Sequence, residues 1–398
     1  MSSRLPAGYR RYLIGNYQPQ PAVFTAGKGA RLRDRRGRDY VDFACGVAVT
    51  ALGHAHPAVT RAIAAQAAKL THISNVFIHD QTVAGAKLLA EATGMERVFF
   101  CNSGAEANEA ALKIARKRGA AIRRTKTKVV SFAGSFHGRL GFALAASGQP
   151  KLWQDFGPLA PGFVHVPFDD PRALERAFGR DVCAAIVEPI QGEGGIRAPK
   201  PAVLALLQKL CRRHDALLIA DEIQTGMHRT GPLLASAATR LRPDMATLGK
   251  GIGNGFPLGA VAVRGAAGEV LRPGDHGTTY GGNALAMAAL RATLGQLRKP
   301  ALQRNVAQAS AKIAEAVAGY KKRGAPIRQL RGRGLLLGLA LDEERLSCGE
   351  LASRAFAQGL LTVPAGDNVL RLLPPLNIAA RDLAAGLRRL EAALFAKP

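Results

Sequence analysis

Cysteine is scarce and scattered. The 398 residues hold five (Cys45, Cys101, Cys183, Cys211, Cys348), an odd number with no C-x-x-C pair. That spacing suggests neither a disulfide framework nor a thiolate zinc site, and it fits a reducing, cytoplasmic setting. Aromatics are thin at 6%, with a single Trp, which suits close helix-on-sheet packing better than an aromatic-rich β-sandwich. No apolar run approaches the ~18 residues of a spanning helix, so no membrane partner is expected. Acidic residues are also few, 29 against 55 Lys and Arg, for a formal charge of +26. Such a balance can signal a nucleic-acid partner. The richest basic stretches, 31–38 and 116–128, hold no aromatic on which a base could stack, and no nucleic-acid motif accompanies them. They read as solvated helix faces and loops with an attraction for anionic small molecules, and no nucleic-acid partner is expected. His54 and His56 are spaced like a metal pair, but no third ligand is evident nearby, so no metal is expected. The first twenty residues carry Arg and no acid, faintly like a transit peptide, yet lack a clear amphipathic stripe.

What the chain does have is 47% hydrophobic residues and a length beyond the ~250–300 residues at which single cores stop growing. Short apolar runs alternate with segments of helical period, the pattern of an α/β fold with a mostly parallel sheet. Expected strands are 97–101, 128–132, 183–188, 216–220 and 258–263. Expected helices are 106–118, 200–213 and 284–297. The tail reads as a smaller α+β unit, with strands 335–341 and 369–373 and helices 350–358 and 381–395. The expected division is an N-terminal arm and small-domain segment (1–55), a large domain (56–290) and a C-terminal small domain (291–398).

Three local features stand out. The apolar run 216–220 ends in Asp221-Glu222, which places acids at the carboxyl end of a strand, where open α/β sheets bind ligands. Segment 247–255 sets Lys250 among four glycines, as if to leave room for something flat. It is neither a phosphate-binding Walker loop nor a dinucleotide fingerprint, and the glycines at 251, 253 and 255, like Gly332, Gly334 and Gly338, read as turns. Asn102-Ser103-Gly104-Ala105-Glu106 follows an expected strand and opens a helix. It fits a capping box and equally an anion site at a helix N-terminus. A lysine, a strand-end acid and a phosphate-type helix start are together the three grips that pyridoxal phosphate (PLP) needs, for its aldehyde, ring nitrogen and phosphate.

At these residues the sequence resembles the class-III (ω-amino-acid) aminotransferases of PLP fold type I, and most of all their acetylornithine branch. The matching runs include Gly53-His-Ala-His-Pro57, Ser74-Asn-Val-Phe77, Phe136-His-Gly-Arg139, Val187-Glu-Pro-Ile-Gln-Gly-Glu-Gly-Gly195, Asp221-Glu-Ile-Gln-Thr-Gly226 and His276-Gly-Thr-Thr-Tyr-Gly-Gly-Asn283. The resemblance implies a large mostly parallel-sheet domain plus a smaller α+β domain, and PLP as cofactor. It implies Lys250 as the catalytic Schiff-base lysine and proton carrier. Asp221 would lie on the pyridine nitrogen, Gln224 on the ring hydroxyl and Phe136 on the ring face, with His137 also in contact. Ser103, Gly104 and Ala105 would hold the phosphate, joined by Thr278 and Thr279 from the partner of a homodimer with shared active sites. Tyr17, Arg139, Glu193 and Arg371 would meet substrate. Arg139 would take the distal carboxylate and Arg371 the α-carboxylate of 2-oxoglutarate, and Glu193 would neutralise Arg371 while an ω-amine is bound. Asn75 would stand at the rim. The implied reaction is ping-pong transfer of the 5-amino group of acetylornithine to 2-oxoglutarate, giving glutamate, in arginine biosynthesis. Succinylornithine, succinyl-diaminopimelate, ornithine and 4-aminobutyrate remain alternative donors. A basic nucleic-acid-binding protein on a degenerate transaminase fold is the alternative from another class. Two departures stand out: Ala105 where many relatives carry Thr, and His228 where glycine is common.

Overall fold

The computed structural model describes residue 6 and residues 8–396. Four strands, Val182–Val187, Leu217–Asp221, Met245–Leu248 and Gly259–Val263, are buried at every position. Their continuous apolar runs are what a sheet covered on both faces requires. They lie within a seven-stranded sheet ordered Arg97–Cys101, Gly259–Val263, Met245–Leu248, Leu217–Asp221, Val182–Val187, Lys128–Phe132, Phe163–Val166. All pairings are parallel except those of Gly259–Val263, which runs antiparallel to both neighbours. The α/β expectation therefore holds.

One face of the sheet is covered by helix Gly104–Ile122, whose Ala107, Ala110, Ala111, Leu112, Ile114 and Ala115 are buried. Small side chains on this helix allow the close approach to the sheet that a low aromatic content calls for. Helix Pro201–Arg213 covers the other face with Val203, Leu204, Leu207 and Leu210. Each such side chain contributes about 1.5–3 kcal/mol by leaving water.

Two four-stranded sheets complete the fold. Phe24–Lys28, Arg31–Asp34 and Asp39–Asp42 form an antiparallel set, to which Leu360–Leu361 adds in parallel. The N-terminal segment is thus stitched to the C-terminal one. The last sheet is antiparallel, ordered Ile327–Arg333, Leu336–Leu341, Val369–Leu372, Val363–Ala365. Helices Cys348–Ala357 and Ala380–Leu394 belong to this end of the chain.

Expected strands 183–188, 216–220 and 258–263 are each displaced by one residue at one or both ends. The helix expected at 106–118 spans Gly104–Ile122. Strands Phe163–Val166 and Met245–Leu248 lie outside the expected set. Both are only four residues long, too short to display a period. Gly338 was expected in a turn and instead sits inside strand Leu336–Leu341, opposite Arg371. A Cβ there would lie 2.5 Å from the Val369 side chain and 2.8 Å from that of Ile196. Close packing, not chain reversal, explains that glycine.

Candidate active site

The parallel strands present their carboxyl ends to one cavity of about 260 Å³. Asp221 closes strand Leu217–Asp221 and is 3% exposed. Its Oδ2 accepts from Asn108 Nδ2 at 2.7 Å and faces His137 Nδ1 at 2.7 Å, while Oδ1 accepts from the Ile223 N–H at 3.1 Å. A buried carboxylate is costly unless so bonded. Here it is bonded, so a negative charge can stand at the cavity floor.

Asp221 is in register with Thr247 of strand Met245–Leu248, and two residues past that strand comes Lys250. Its φ is +45°, a left-handed conformation that is unusual outside glycine. Burial pushes the Lys250 amine below its ordinary range and Arg371 pushes it the same way, against the opposing pulls of Glu193, Asp221 and Glu188. The shift favours the neutral amine, which is the form that acts as nucleophile and base.

Gly249, beside Lys250, also serves close packing. A Cβ on Gly249 would lie 3.2 Å from Gly104 Cα and 3.2 Å from the Ile223 side chain, and one on Gly104 would lie 2.8 Å from Ile223. These glycines let two backbone segments of the protein touch. The outcome is that the lysine turn is packed directly against the start of helix Gly104–Ile122.

At that helix start, Ser103 is the N-cap and its Oγ accepts from the Glu106 N–H at 3.2 Å. Glu106 Oε2 accepts in return from the Asn102 N–H at 2.6 Å. The capping-box and anion-site readings coexist, because the cap uses the Glu106 N–H and leaves the first-turn amides of Gly104 and Ala105 toward the cavity they line.

At the substrate side, Arg371 lies in strand Val369–Leu372 and is 1% exposed. Its guanidinium holds Glu193 in a fork, Nη1 to Oε1 and Nη2 to Oε2, the latter at 3.1 Å. Nη1 also reaches Gln224 Oε1 at 3.3 Å and Nη2 reaches the Pro364 carbonyl at 3.0 Å. Burial raises the Glu193 carboxyl, but Arg371 outweighs it and the net shift is downward. Arg139 lines the same cavity and is exposed.

Lys250, Gly104, Ala105, Phe136, His137, Arg139, Asp221 and Gln224 are thus brought around one cavity, with Ser103 capping its helix and Glu193 and Arg371 joined to Gln224. Other expected residues are not. Tyr17 is 76% exposed and lines a different surface cavity with Tyr9 and Arg10. Thr279 is exposed, and Thr278 Oγ1 is occupied by Asn102 Nδ2 at 3.0 Å. Asn75 donates to the carbonyls of Thr278 and Gly281 at 3.0 and 3.1 Å, which anchors that loop.

Two positions at the site were missed. Asn108 lies one helical turn from Gly104 on the cavity side, a spacing that would have found it. Glu188 follows strand Val182–Val187 as Asp221 ends its own strand, and it is 6% exposed. The strand-end logic applied to Asp221 would have found it too. Among the described residues no group of His, Cys, Asp and Glu could hold a metal, and no helix is long and apolar enough to cross a membrane.

The residues present fit PLP, because the three grips open onto one cavity and the buried His137 Nε2 and Asn108 Oδ1 beside it have no partner within the described chain. Fold and site together define a PLP-dependent aminotransferase. The chain belongs to the class-III aminotransferases, whose family profile matches residues 13–394. It is 43% identical over 383 residues to the succinylornithine transaminase of Salmonella typhimurium, covering 96% of this chain and 94% of that one. The structure of N-acetylornithine aminotransferase from Stenotrophomonas maltophilia is 39% identical, with TM-score 0.84 over 97% of each chain. The ornithine aminotransferase of Toxoplasma gondii is 37% identical, with TM-score 0.93 over 98% of this chain and 93% of that one; another structure of it is described with PLP at the active site. This is therefore a class-III ω-aminotransferase of the ornithine, acetylornithine and succinylornithine type.

Proposed function

We propose that the enzyme moves the 5-amino group of N²-acetylornithine to 2-oxoglutarate in arginine biosynthesis, and that succinylornithine enters the same pocket. The carrying observation is the pairing of Glu193 with Arg371, which is joined through Gln224 to the cavity that the exposed Arg139 lines. When an ω-amine enters, it brings no carboxylate to Arg371, and Glu193 keeps that buried guanidinium neutralised. An unpaired buried charge would be expensive. When 2-oxoglutarate enters, its α-carboxylate takes the bidentate place of Glu193, and Arg139 takes the distal one. The high sequence identity to succinylornithine transaminase favours succinylornithine as the second donor.

PLP supplies the electron sink that stabilises negative charge at the substrate carbon next to nitrogen. The chain does the rest. Lys250 would hold the cofactor covalently and, once freed, would carry a proton between the two carbons that flank the transferred nitrogen, as base and then acid. Asp221 keeps the ring nitrogen protonated, because a nearby opposite charge favours the charged form. His137 and Asn108 hold Asp221 in place. Ser103 and the Gly104 and Ala105 amides would take the phosphate, Phe136 would hold the ring face and Gln224 the ring hydroxyl.

A homodimer accords with the surface. Val76, Phe77, Ile78 and Tyr280 are 79%, 66%, 84% and 61% exposed and flank Asn75 and the threonine loop, an apolar group of the kind that marks an interface. Thr279, not the engaged Thr278, is the hydroxyl available to a partner's phosphate site. A cytoplasmic setting follows from the five free thiols and the metabolic role. The test is a panel of acetylornithine, succinylornithine, ornithine and 4-aminobutyrate with 2-oxoglutarate, read as glutamate formed. Acylornithines turn over fastest; absence of acetylornithine turnover removes the proposed name.

A further inference from the structure

Glu188 is the one buried acid lining the reaction cavity that the mechanism above leaves without a task. Its Oε2 accepts from the Phe136 N–H at 3.0 Å and its Oε1 from the Gly192 N–H at 3.1 Å. Phe136 belongs to the loop that follows strand Lys128–Phe132, and Gly192 is next to Glu193. One carboxylate therefore holds, through separate oxygens, the loop that carries the ring-stacking residue and the loop that carries the partner of Arg371.

The geometry around it is tight. A Cβ on Gly192 would lie 2.5 Å from Gln224, so a shift of Gly192 is felt by the residue that also accepts from Arg371. Gln191 gives the two loops a second tie, donating from Nε2 to the Ala133 carbonyl at 2.9 Å. The loops thus remain associated without Glu188, and what Glu188 adds is register. Its carboxyl is faced by His137 and Asp221 beside it and by Lys250 from the lysine turn, with Arg139 on the same cavity and the Glu193–Arg371 pair one residue beyond Gly192.

We infer that Glu188 is a positioning residue that couples the hold on the cofactor ring to the Glu193–Arg371 pair, so that one carboxylate sets both cofactor grip and the exchange between the two substrates. This rests on the proposed roles of Phe136 and Glu193. Glu188→Gln is the discriminating variant, because the amide keeps the shape and one acceptor oxygen but turns an N–H donor toward the other amide. One tie is lost and the fold stays supported by Gln191.

The test has three parts. Amide hydrogen exchange on the apoprotein should quicken at 134–138 and 191–193 in E188Q, with the central strands unchanged. PLP titrated against the apoprotein should bind about tenfold more weakly, the scale of one hydrogen bond to a charged group. In single half-reactions of the loaded enzyme, the KM for 2-oxoglutarate should shift by a factor different from that for the amino donor, while kcat changes less. A merely structural role would speed exchange throughout or alter both half-reactions alike. If exchange, PLP affinity and the ratio of the two KM values all stay within twofold of wild type, or only one of the two loops loosens, the coupling is wrong. A wild-type protein that takes no PLP or transfers no amino group would instead overturn the underlying assignment, before Glu188 is tested.

Discussion

At the floor of the cavity Asp221, His137, Asn108 and Glu188 are buried and bonded to groups of this same chain, whereas at the rim Arg139 and Thr279 are exposed and Tyr17 lies on the outer surface. The floor is nearly complete without a substrate or a second chain, with only His137 Nε2 and Asn108 Oδ1 lacking a partner among its groups. The outer residues are instead open to solvent. Between them stands Arg371, buried like the floor yet paired with Glu193, whose side chain is 28% exposed. The groups around Asp221 are thus largely fixed by folding, and under the proposed function the choice of substrate falls to the more exposed ones.

The largest expected effect breaks the floor. Lys250→Ala removes both the covalent hold and the proton carrier, so glutamate formation should fall to or beyond the top of the roughly 10²–10⁴-fold range of acid–base contributions. The apoprotein should at the same time melt no lower than wild type, because the lost group is an amine that burial already disfavours in its charged form. Lower apoprotein stability together with retained turnover would show that Lys250 belongs to the framework and not to the chemistry.

A smaller effect sharpens what completeness of the floor means. Burial, with Asp221 adding to it and His137 opposing, pushes the Glu188 carboxyl from its ordinary 4.5 up to about 7. The folded state therefore keeps this proton longer than the unfolded chain does. Its stabilising contribution is whole below about pH 4.5 and is lost as pH climbs through about 7. The stability difference between wild type and Glu188→Gln should accordingly fall as pH rises between these limits. Denaturant titrations of both proteins at several pH values measure it, and a difference that stays flat removes the shift.

The floor was also the more legible region in the sequence. Asp221 and Ser103 sit at the end of a strand and the start of a helix, where position marks them as candidates, and strands Arg97–Cys101 and Lys128–Phe132 match their expected bounds because each is a bounded apolar run. Met245–Leu248 and Phe163–Val166 were not legible, since four residues carry no period. The glycines near Lys250 were read as space for a ligand, although what they admit is Gly104 against Gly249, a contact between segments far apart in sequence. His228 was visible only as a departure from glycine. The structure gives it φ +63° and a bond from its Nδ1 to the Gly231 carbonyl at 2.9 Å, so it holds the left-handed conformation that glycine adopts without cost. The rim was the least legible, because exposed residues such as Tyr17 and Arg139 leave no burial pattern, and only the family resemblance pointed to them.

The smallest effect tests the boundary between floor and rim. Glu193→Gln leaves Arg371 charged but replaces its ionic partner with a neutral amide of the same shape. If Glu193 is chiefly a structural ion-pair partner, the variant should lose stability and slow both half-reactions alike, as breaking a buried pair does. If it is the displaceable group, the outcomes diverge. The carboxylate of 2-oxoglutarate no longer has to compete with another carboxylate for the guanidinium, so its KM should fall, by about tenfold for one charge-assisted bond. The amino donor, which brings nothing to Arg371, should meet an uncompensated positive charge and react more slowly. The pair of KM values, measured in separate half-reactions, therefore moves in opposite directions for a gate and in the same direction for a strut. That Glu193 is part-exposed while Arg371 is buried favours the first outcome, since the partner that must move is the one already nearer water.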